Sequence, residues 1–148
     1  MALIAQQVQE FLDGDRYAVV GASRDRSKFG NRVLRALLAS GRGAVPVHPR
    51  ESEVEGQRCV ASLAALPPGV HGVSIVTPPE VTLQVVEQAL ALGLRRLWMQ
   101  PGAEHPEAVR RAQEAGALVL HGGPCLLVEI APRQGSRERR GSPGRDGP

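Results

Sequence analysis

Residues 17–30 read YAVVGASRDRSKFG, and this stretch decides the fold prediction. It opens with an apolar run, Tyr17 to Val20, that is too short for a helix and ends in β-branched residues, which is typical of a buried strand. A turn-rich segment runs from Gly21 to Gly30, and apolar residues then recur at helical spacing. A strand, a turn and a helix in this order form the first half of a β-α-β unit.

The same alternation continues on both sides of this stretch. A leading amphipathic helix is predicted from Leu3, Ile4, Val8, Phe11 and Leu12, with Gly14 at its end. Further helical faces are formed by Val33, Leu34, Leu37 and Leu38, by Val81, Val85, Ala89 and Leu92, and by the segment from Pro106 to Gly116. Short strands are predicted at 44–47, 73–76, 97–99 and 117–120.

Local sequence signals add detail to one helix, one strand and one connection. Thr77 and Glu80 have the spacing of a capping box, and the prolines between them favour a helix start at that point. Pro46 removes a backbone donor from the second strand, which therefore either lies near a sheet edge or ends early. Residues 50–71 are predicted as a polar connection with a short apolar patch at 63–66.

Strands that alternate with helices indicate a parallel sheet, because parallel neighbours need crossover connections that cover the sheet with helices. The predicted fold is therefore α/β, a three-layer, doubly wound, Rossmann-like arrangement of a mainly parallel five-stranded sheet with helices on both faces. Its single domain spans residues 1–132.

Charge and composition limit the classes of partner that the chain is predicted to bind. Residues 133–148 carry five basic and two acidic residues, whereas residues 1–132 carry 13 of each, so the net charge of +3 belongs to the tail. The tail lacks aliphatic and aromatic side chains and is predicted to be disordered. With 3% aromatic residues and a neutral body, the chain is not predicted to bind nucleic acid.

Cysteine and hydropathy patterns indicate a cytoplasmic protein. Cys59 and Cys125 form no close pair for a zinc site or a redox dithiol, and no metal site is predicted. Cys59 lies in a polar loop, where an exposed thiol would be able to form a mixed disulfide with a thiol ligand. The N-terminus resembles no signal peptide, and no apolar run is long enough to span a membrane.

Ligands of such sheets bind at the carboxyl ends of the strands, where the strand order reverses. After the first strand, the small residues Gly21, Ala22 and Ser23 allow close approach of a phosphate. Ser27, Lys28, Phe29 and Gly30 then lead into a helix, whose N-terminus adds free amide groups and a partial positive charge. We therefore predict a phosphate cradle in this loop.

The nucleotide held there is not predicted to be NAD. The G-x-G-x-x-G fingerprint is absent, and the second strand is followed by Val47, His48, Pro49 and Arg50 rather than by an acid for the ribose hydroxyls. Arg50 would pair with an additional sugar phosphate. Both coenzyme A and NADP carry one.

Five runs of the sequence are VVGASRDRSKFGNRVLRALLASG, VPVHPRE, VTPPEV, WMQPGA and PCLLVE. Together, over roughly residues 5–131, they resemble the small stand-alone CoA-binding proteins related to the CoA-binding domain of the succinyl-CoA synthetase α subunit. The resemblance implies coenzyme A or an acyl-CoA across the strand ends, with Gly21, Ala22 and Ser23 against the pyrophosphate or pantetheine. It places Ser27 and Lys28 on phosphate and has residues 47–50 frame the adenosine. It also implies that Thr77, Pro79 and Gln100 line the remaining wall. His48 stands where asparagine is common in the family.

No catalytic constellation is predicted. His121 and Cys125 lie in a turn-rich segment without a third group to orient a base. A ligase of this kind also needs a phosphohistidine domain and a partner chain, which 148 residues do not hold. The sequence favours a non-catalytic CoA or acyl-CoA binding module that acts alone, as a homodimer or with another protein. One alternative is an NADP-dependent oxidoreductase or redox sensor, and another is a structural interaction protein whose cleft is vestigial.

Overall fold

The structure is a computed structural model that describes residues 2–131. The predicted domain boundary at 132 and the predicted disordered tail at 133–148 lie outside the described residues.

Helices and strands alternate along the described chain. The strands are β1 (Arg16–Val20), β2 (Gly43–Val47), β3 (Glu53–Val54), β4 (Gln57–Arg58), β5 (Gly72–Ile75), β6 (Arg96–Met99) and β7 (Leu118–Leu120). The helices are α1 (Ala2–Leu12), α2 (Phe29–Ala39), α3 (Pro79–Ala91), α4 (Pro106–Glu114) and α5 (Leu126–Glu129), and a 3-10 turn covers Leu63–Ala65.

Five strands form one parallel sheet in the order β2-β1-β5-β6-β7. The chain moves outward from β1 to β2 and then returns to the other side of β1 to begin β5. The strand order therefore reverses between β1 and β5. The predicted α/β, Rossmann-like fold is confirmed, and β2, the strand that contains Pro46, lies at an edge as predicted.

Each face of the sheet buries its own apolar cluster. Val73, Ile75, Leu97 and Met99 face one side, where buried residues of α3 and α4 cover them. Tyr17, Val19, Trp98 and Leu120 face the other side, against α1, α2 and α5. Since successive side chains of a strand point to opposite faces, the continuous apolar runs seen in the sequence supply both layers.

Three local predictions are corrected. Pro78 precedes α3 without a side-chain cap, because the Thr77 hydroxyl hydrogen-bonds to that of Thr82 (2.7 Å), so the capping box is wrong. The predicted apolar face of this helix is also shifted, since Leu92 is exposed while Thr82 and Val86 are buried. Leu3 and Ile4 of α1 are exposed rather than part of its buried face.

The polar connection at 50–71 contains structure that the sequence did not predict. The short strands β3 and β4 pair antiparallel as a hairpin. Val60 then bridges to Val47 beside the outer edge of β2. The hairpin is thus held next to the end of β2, close to the loop that follows β1.

A buried arginine joins the end of the described chain to the body. Arg42 donates from Nε and one amino group to the Leu12 carbonyl (3.0 and 2.8 Å), and its other amino group donates to the Ala131 carbonyl (2.6 Å). Among the residues that the structure describes, no helix is long and apolar enough to cross a membrane.

Candidate functional site

A groove of about 450 Å³ lies at the carboxyl ends of β1, β2 and β5, at the reversal of strand order. Six of the predicted site residues line it: Gly21, Ala22, Val47, His48, Pro49 and Thr77. They come from three separate loops, which the parallel sheet brings to one edge. The groove therefore occupies the position predicted for a ligand of such a sheet.

Gly21 and Gly30 allow the backbone to pack closely behind the groove. Gly21 has a φ of +96°, and a Cβ atom there would lie 2.1 Å from the Val76 carbonyl oxygen. A Cβ atom on Gly30 would lie 2.0 Å from the carbonyl oxygen of Gly21. Gly30 therefore sets how closely the first turn of α2 approaches the end of β1, and Gly21 sets how closely that end approaches the loop after β5.

The loop between β1 and α2 is organised by its own hydrogen bonds. The Ser23 hydroxyl accepts from the Asp25 N–H (3.0 Å), and an Asp25 oxygen accepts from the Ser27 N–H (3.0 Å) and hydroxyl (2.7 Å). The bonds from Ser27 lower the pKa of the Asp25 carboxyl. Lys28 follows at the start of α2 with an exposed side chain that makes no hydrogen bond or salt bridge within residues 2–131.

Glu55, at the tip of the β3–β4 hairpin, braces the same loop. Its carboxylate accepts from the Asn31 amide (3.0 Å) and from Arg26 Nε (3.1 Å). Asn31 is fully buried and also donates to the Ser23 carbonyl (2.8 Å). The bond from Asn31 is the main reason that the pKa of Glu55 lies below its ordinary value. The hairpin, α2 and the loop are thus connected through one carboxylate.

His48 shapes the opposite wall of the groove. Its Nδ1 atom accepts from the N–H groups of Arg50 (3.0 Å) and Glu51 (2.9 Å). An asparagine side chain closes turns in the same way, by accepting from backbone N–H groups a few residues ahead. The histidine therefore keeps this acceptor role, and its neutral ring carries the proton on Nε2.

Several predicted residues lie outside the groove lining. Ser23, Ser27, Lys28, Phe29 and Gly30 belong to the loop and helix beside it; Phe29 is half-buried and packs against the core. Arg50 and Pro79 are exposed near its rim. Their predicted contacts with a ligand stay predictions.

The prediction that Gln100 lines the groove is corrected. Its side chain is fully buried, its amide donates to the Ser74 hydroxyl (3.1 Å), and its carbonyl accepts from the Leu126 N–H (2.9 Å). These bonds join β5, β6 and the start of α5, so this residue stabilises the sheet and does not line the groove.

Sequence reasoning missed one wall of the groove. That wall comes from the start of the 3-10 turn and the two residues before it, from the loop after β5, and from α3. Its members are Ala61, Ser62, Leu63, Val76, Pro78, Val81, Val85 and Gln88. The apolar patch at 63–66 was the available signal. Helical spacing predicts that Val81 lies on the core face of α3, whereas this residue is 38% exposed and borders the groove.

The surroundings of Cys59 do not favour the predicted mixed disulfide. Burial raises the pKa of the Cys59 thiol, and Glu51 and Glu53 raise it further, so the thiolate needed for a mixed disulfide is disfavoured. Both cysteines are free. Residues 2–131 hold no group of three or more His, Cys, Asp or Glu side chains suited to a metal ion.

A family model described as a CoA binding domain matches residues 15–131, which is most of the chain and includes every wall of the groove. The chain belongs to the CoA-binding domain family. Among the relatives of this CoA-binding domain is the uncharacterized protein YneT of Bacillus subtilis, 28% identical over 115 residues that cover 77% of this chain and 85% of YneT.

Solved structures agree with this membership. A conserved hypothetical protein from Pyrococcus furiosus is 40% identical, with a TM-score of 0.75, over 78% of this CoA-binding domain protein and 99% of its own chain. A dinucleotide-forming acetyl-coenzyme A synthetase from Ca. Korarchaeum cryptofilum is 30% identical with a TM-score of 0.68. The match covers 77% of our chain but 27% of the synthetase.

Proposed function

We propose that this protein binds coenzyme A or an acyl-CoA in the groove and performs no chemistry on it. The observation that carries the proposal is the groove itself, at the strand-order reversal of a chain that belongs to the CoA-binding domain family. Its walls combine apolar residues with backbone that can approach a phosphate closely.

The proposed orientation follows the three loops. The adenosine lies against Val47, His48 and Pro49, with Arg50 at the rim for the ribose phosphate. The pyrophosphate lies over Gly21 and Ala22, near the amide groups that start α2 and near Lys28. The exposed Lys28 ammonium, which makes no hydrogen bond or salt bridge within residues 2–131, and the helix N-terminus both favour a phosphate at this position. The pantetheine arm then passes Thr77 towards β6.

We propose the absence of catalysis because the side chains that line the groove do not form a catalytic set. Its titratable side chain is His48, whose Nδ1 already accepts two backbone hydrogen bonds. No nucleophilic thiol and no base–orienter pair borders the groove in the described part of the chain. The acetyl-coenzyme A synthetase has a chain several times longer, so the matching domain is a fraction of that enzyme.

Calorimetric titration with CoA, dephospho-CoA, NADP and NAD tests the proposal. We expect CoA to bind at least about tenfold more tightly than dephospho-CoA, because the ribose phosphate gains a charge-assisted contact. We expect the nicotinamide nucleotides to bind weakly. Strongest binding of NADP would replace the proposal by the oxidoreductase alternative, and no binding of any of the four would overturn it.

A further inference from the structure

A second cavity, of about 470 Å³, lies at the carboxyl ends of β6 and β7. It is lined by Glu104, His105, Pro106, Val109, His121 and Gly122, and its walls are mostly apolar. Pro106 and Val109 belong to the first turn of α4, on the same face of the sheet as α3, which borders the groove. The cavity and the groove thus share one edge and one face of the molecule.

The polar side chains that line this cavity are two histidines, His105 and His121, and one carboxylate, Glu104. His105 Nδ1 accepts from the N–H groups of Glu107 (3.1 Å) and Ala108 (3.4 Å) at the start of α4. Its neutral ring therefore keeps the proton on Nε2, where it can donate to a carbonyl oxygen. The Glu104 carboxylate accepts from the Gly102 N–H (2.9 Å), and no Lys or Arg lines the cavity.

The spacing of the two sites matches the reach of the ligand. Strands β1 and β7 are three positions apart in the sheet, which is roughly 14 Å at about 4.8 Å per strand. From the pyrophosphate to the sulfur, the pantetheine arm has as many chain atoms as about four extended residues, or roughly 13–14 Å. A phosphate over the loop after β1 therefore brings the sulfur to the ends of β6 and β7.

We propose that this cavity binds the acyl group of a CoA thioester, and that it selects short, uncharged acyl chains. The proposal rests on the proposed function, since the groove must first hold the nucleotide. Apolar walls stabilise the chain, and His105 Nε2 donates to the thioester carbonyl. A terminal carboxylate is disfavoured because the Glu104 carboxylate lines the cavity and no Lys or Arg lines it.

The test compares the dissociation constants of CoA, acetyl-CoA, butanoyl-CoA and succinyl-CoA for the full-length protein. Each buried methylene strengthens binding roughly fourfold. We expect butanoyl-CoA to bind at least about fivefold more tightly than both CoA and succinyl-CoA. Equal affinities across the series, with CoA bound, would overturn the acyl site and leave the proposed function intact. Absence of CoA binding would overturn both.

Variants that fill the cavity test whether the preference for butanoyl-CoA arises there. Val109→Trp is expected to abolish the preference for butanoyl-CoA while the affinity for CoA stays within about twofold. Val128→Trp is the matched control, since Val128 is 77% exposed on α5 and lines neither site. His121→Trp fills the same cavity from the residue that follows β7, and it replaces Val109→Trp if that variant unfolds. A filled cavity that retains the preference would contradict the proposal.

Discussion

Lys28 is the one lysine of the chain, and its position lets its effect on stability be measured apart from its effect on ligand affinity. It precedes the first turn of α2, its side chain is exposed, and its ammonium has no hydrogen-bond partner among the described residues. An exposed charge of this kind contributes little to stability. Next to a bound pyrophosphate, the same charge would contribute directly to affinity.

Lys28→Ala is therefore expected to weaken CoA binding by roughly tenfold to a hundredfold, the range for a lost hydrogen bond to a charged group. The free energy of unfolding should change by no more than about 0.5 kcal/mol. Calorimetry and urea unfolding measure the two effects. Arg58→Ala on β4 also removes one exposed positive charge, away from the groove, and should leave CoA binding unchanged. Similar losses in both variants would assign the effect to net charge.

At the scale of elements, the approach of α2 to β1 depends on Gly30. Alanine is a better helix former than glycine by about 1 kcal/mol, so propensity alone favours the substitution. The new methyl group would meet the backbone carbonyl of Gly21, which cannot rotate away as a side chain does.

Gly30→Ala is expected to destabilise the protein by about 1–3 kcal/mol or more, the cost of overpacking. Gly43→Ala is the matched control, because the nearest atom to a Cβ atom there lies at 3.4 Å, an ordinary contact. Urea unfolding of both variants measures the difference. Equal stabilities would contradict the close packing of α2 on β1.

The β3–β4 hairpin acts on the groove through the hydrogen bonds of Glu55. Because these bonds favour the carboxylate, the pKa of Glu55 is lower in the folded than in the unfolded protein. This stabilisation is fully present above the unfolded value, near 4.5, and is lost as the pH falls through the folded pKa.

Glu55→Gln keeps an oxygen acceptor but removes the charge. We expect the variant to be less stable than the parent protein at pH 7, with the difference in stability narrowing as the pH falls below about 4.5. Urea unfolding across this range provides the measurement. Glu53→Gln, in the same hairpin, changes a carboxylate that makes no hydrogen bond or salt bridge within residues 2–131; as the matched control, it should lose less stability at pH 7 than Glu55→Gln. A difference in stability for Glu55→Gln that stays constant as the pH falls below 4.5 would contradict the role of the Glu55 carboxylate in holding the loop.

At the scale of the whole molecule, the site belongs to residues 15–131, and the excess of positive charge belongs to residues 133–148. A chain that ends after Pro132 keeps the Ala131 carbonyl that Arg42 binds. We expect this truncation to leave both the melting temperature and the affinity for CoA at physiological salt unchanged. Calorimetry on the two chains checks this, and a severalfold loss of affinity would show that the tail contributes to binding.

The elements and the family could be predicted from the sequence because both depend on local patterns. Strand and helix periods, the turn glycines and the runs around Gly21 and Val47 are properties of short segments. Pro46 indicated the edge strand because a missing donor has the same effect in any sheet. Six of the predicted residues accordingly line the groove.

Only the tertiary structure decided how distant segments meet. Gln100 follows a strand, like the groove residues, but its bonds to Ser74 and Leu126 turn it into the core. The apolar wall of the groove and the brace at Glu55 depend on contacts between segments that are far apart in the chain. Such contacts follow from sheet order and packing, which no local period encodes. The sequence by itself therefore determined which loops reach the strand ends, and the packing of those loops determined which side chains face a ligand.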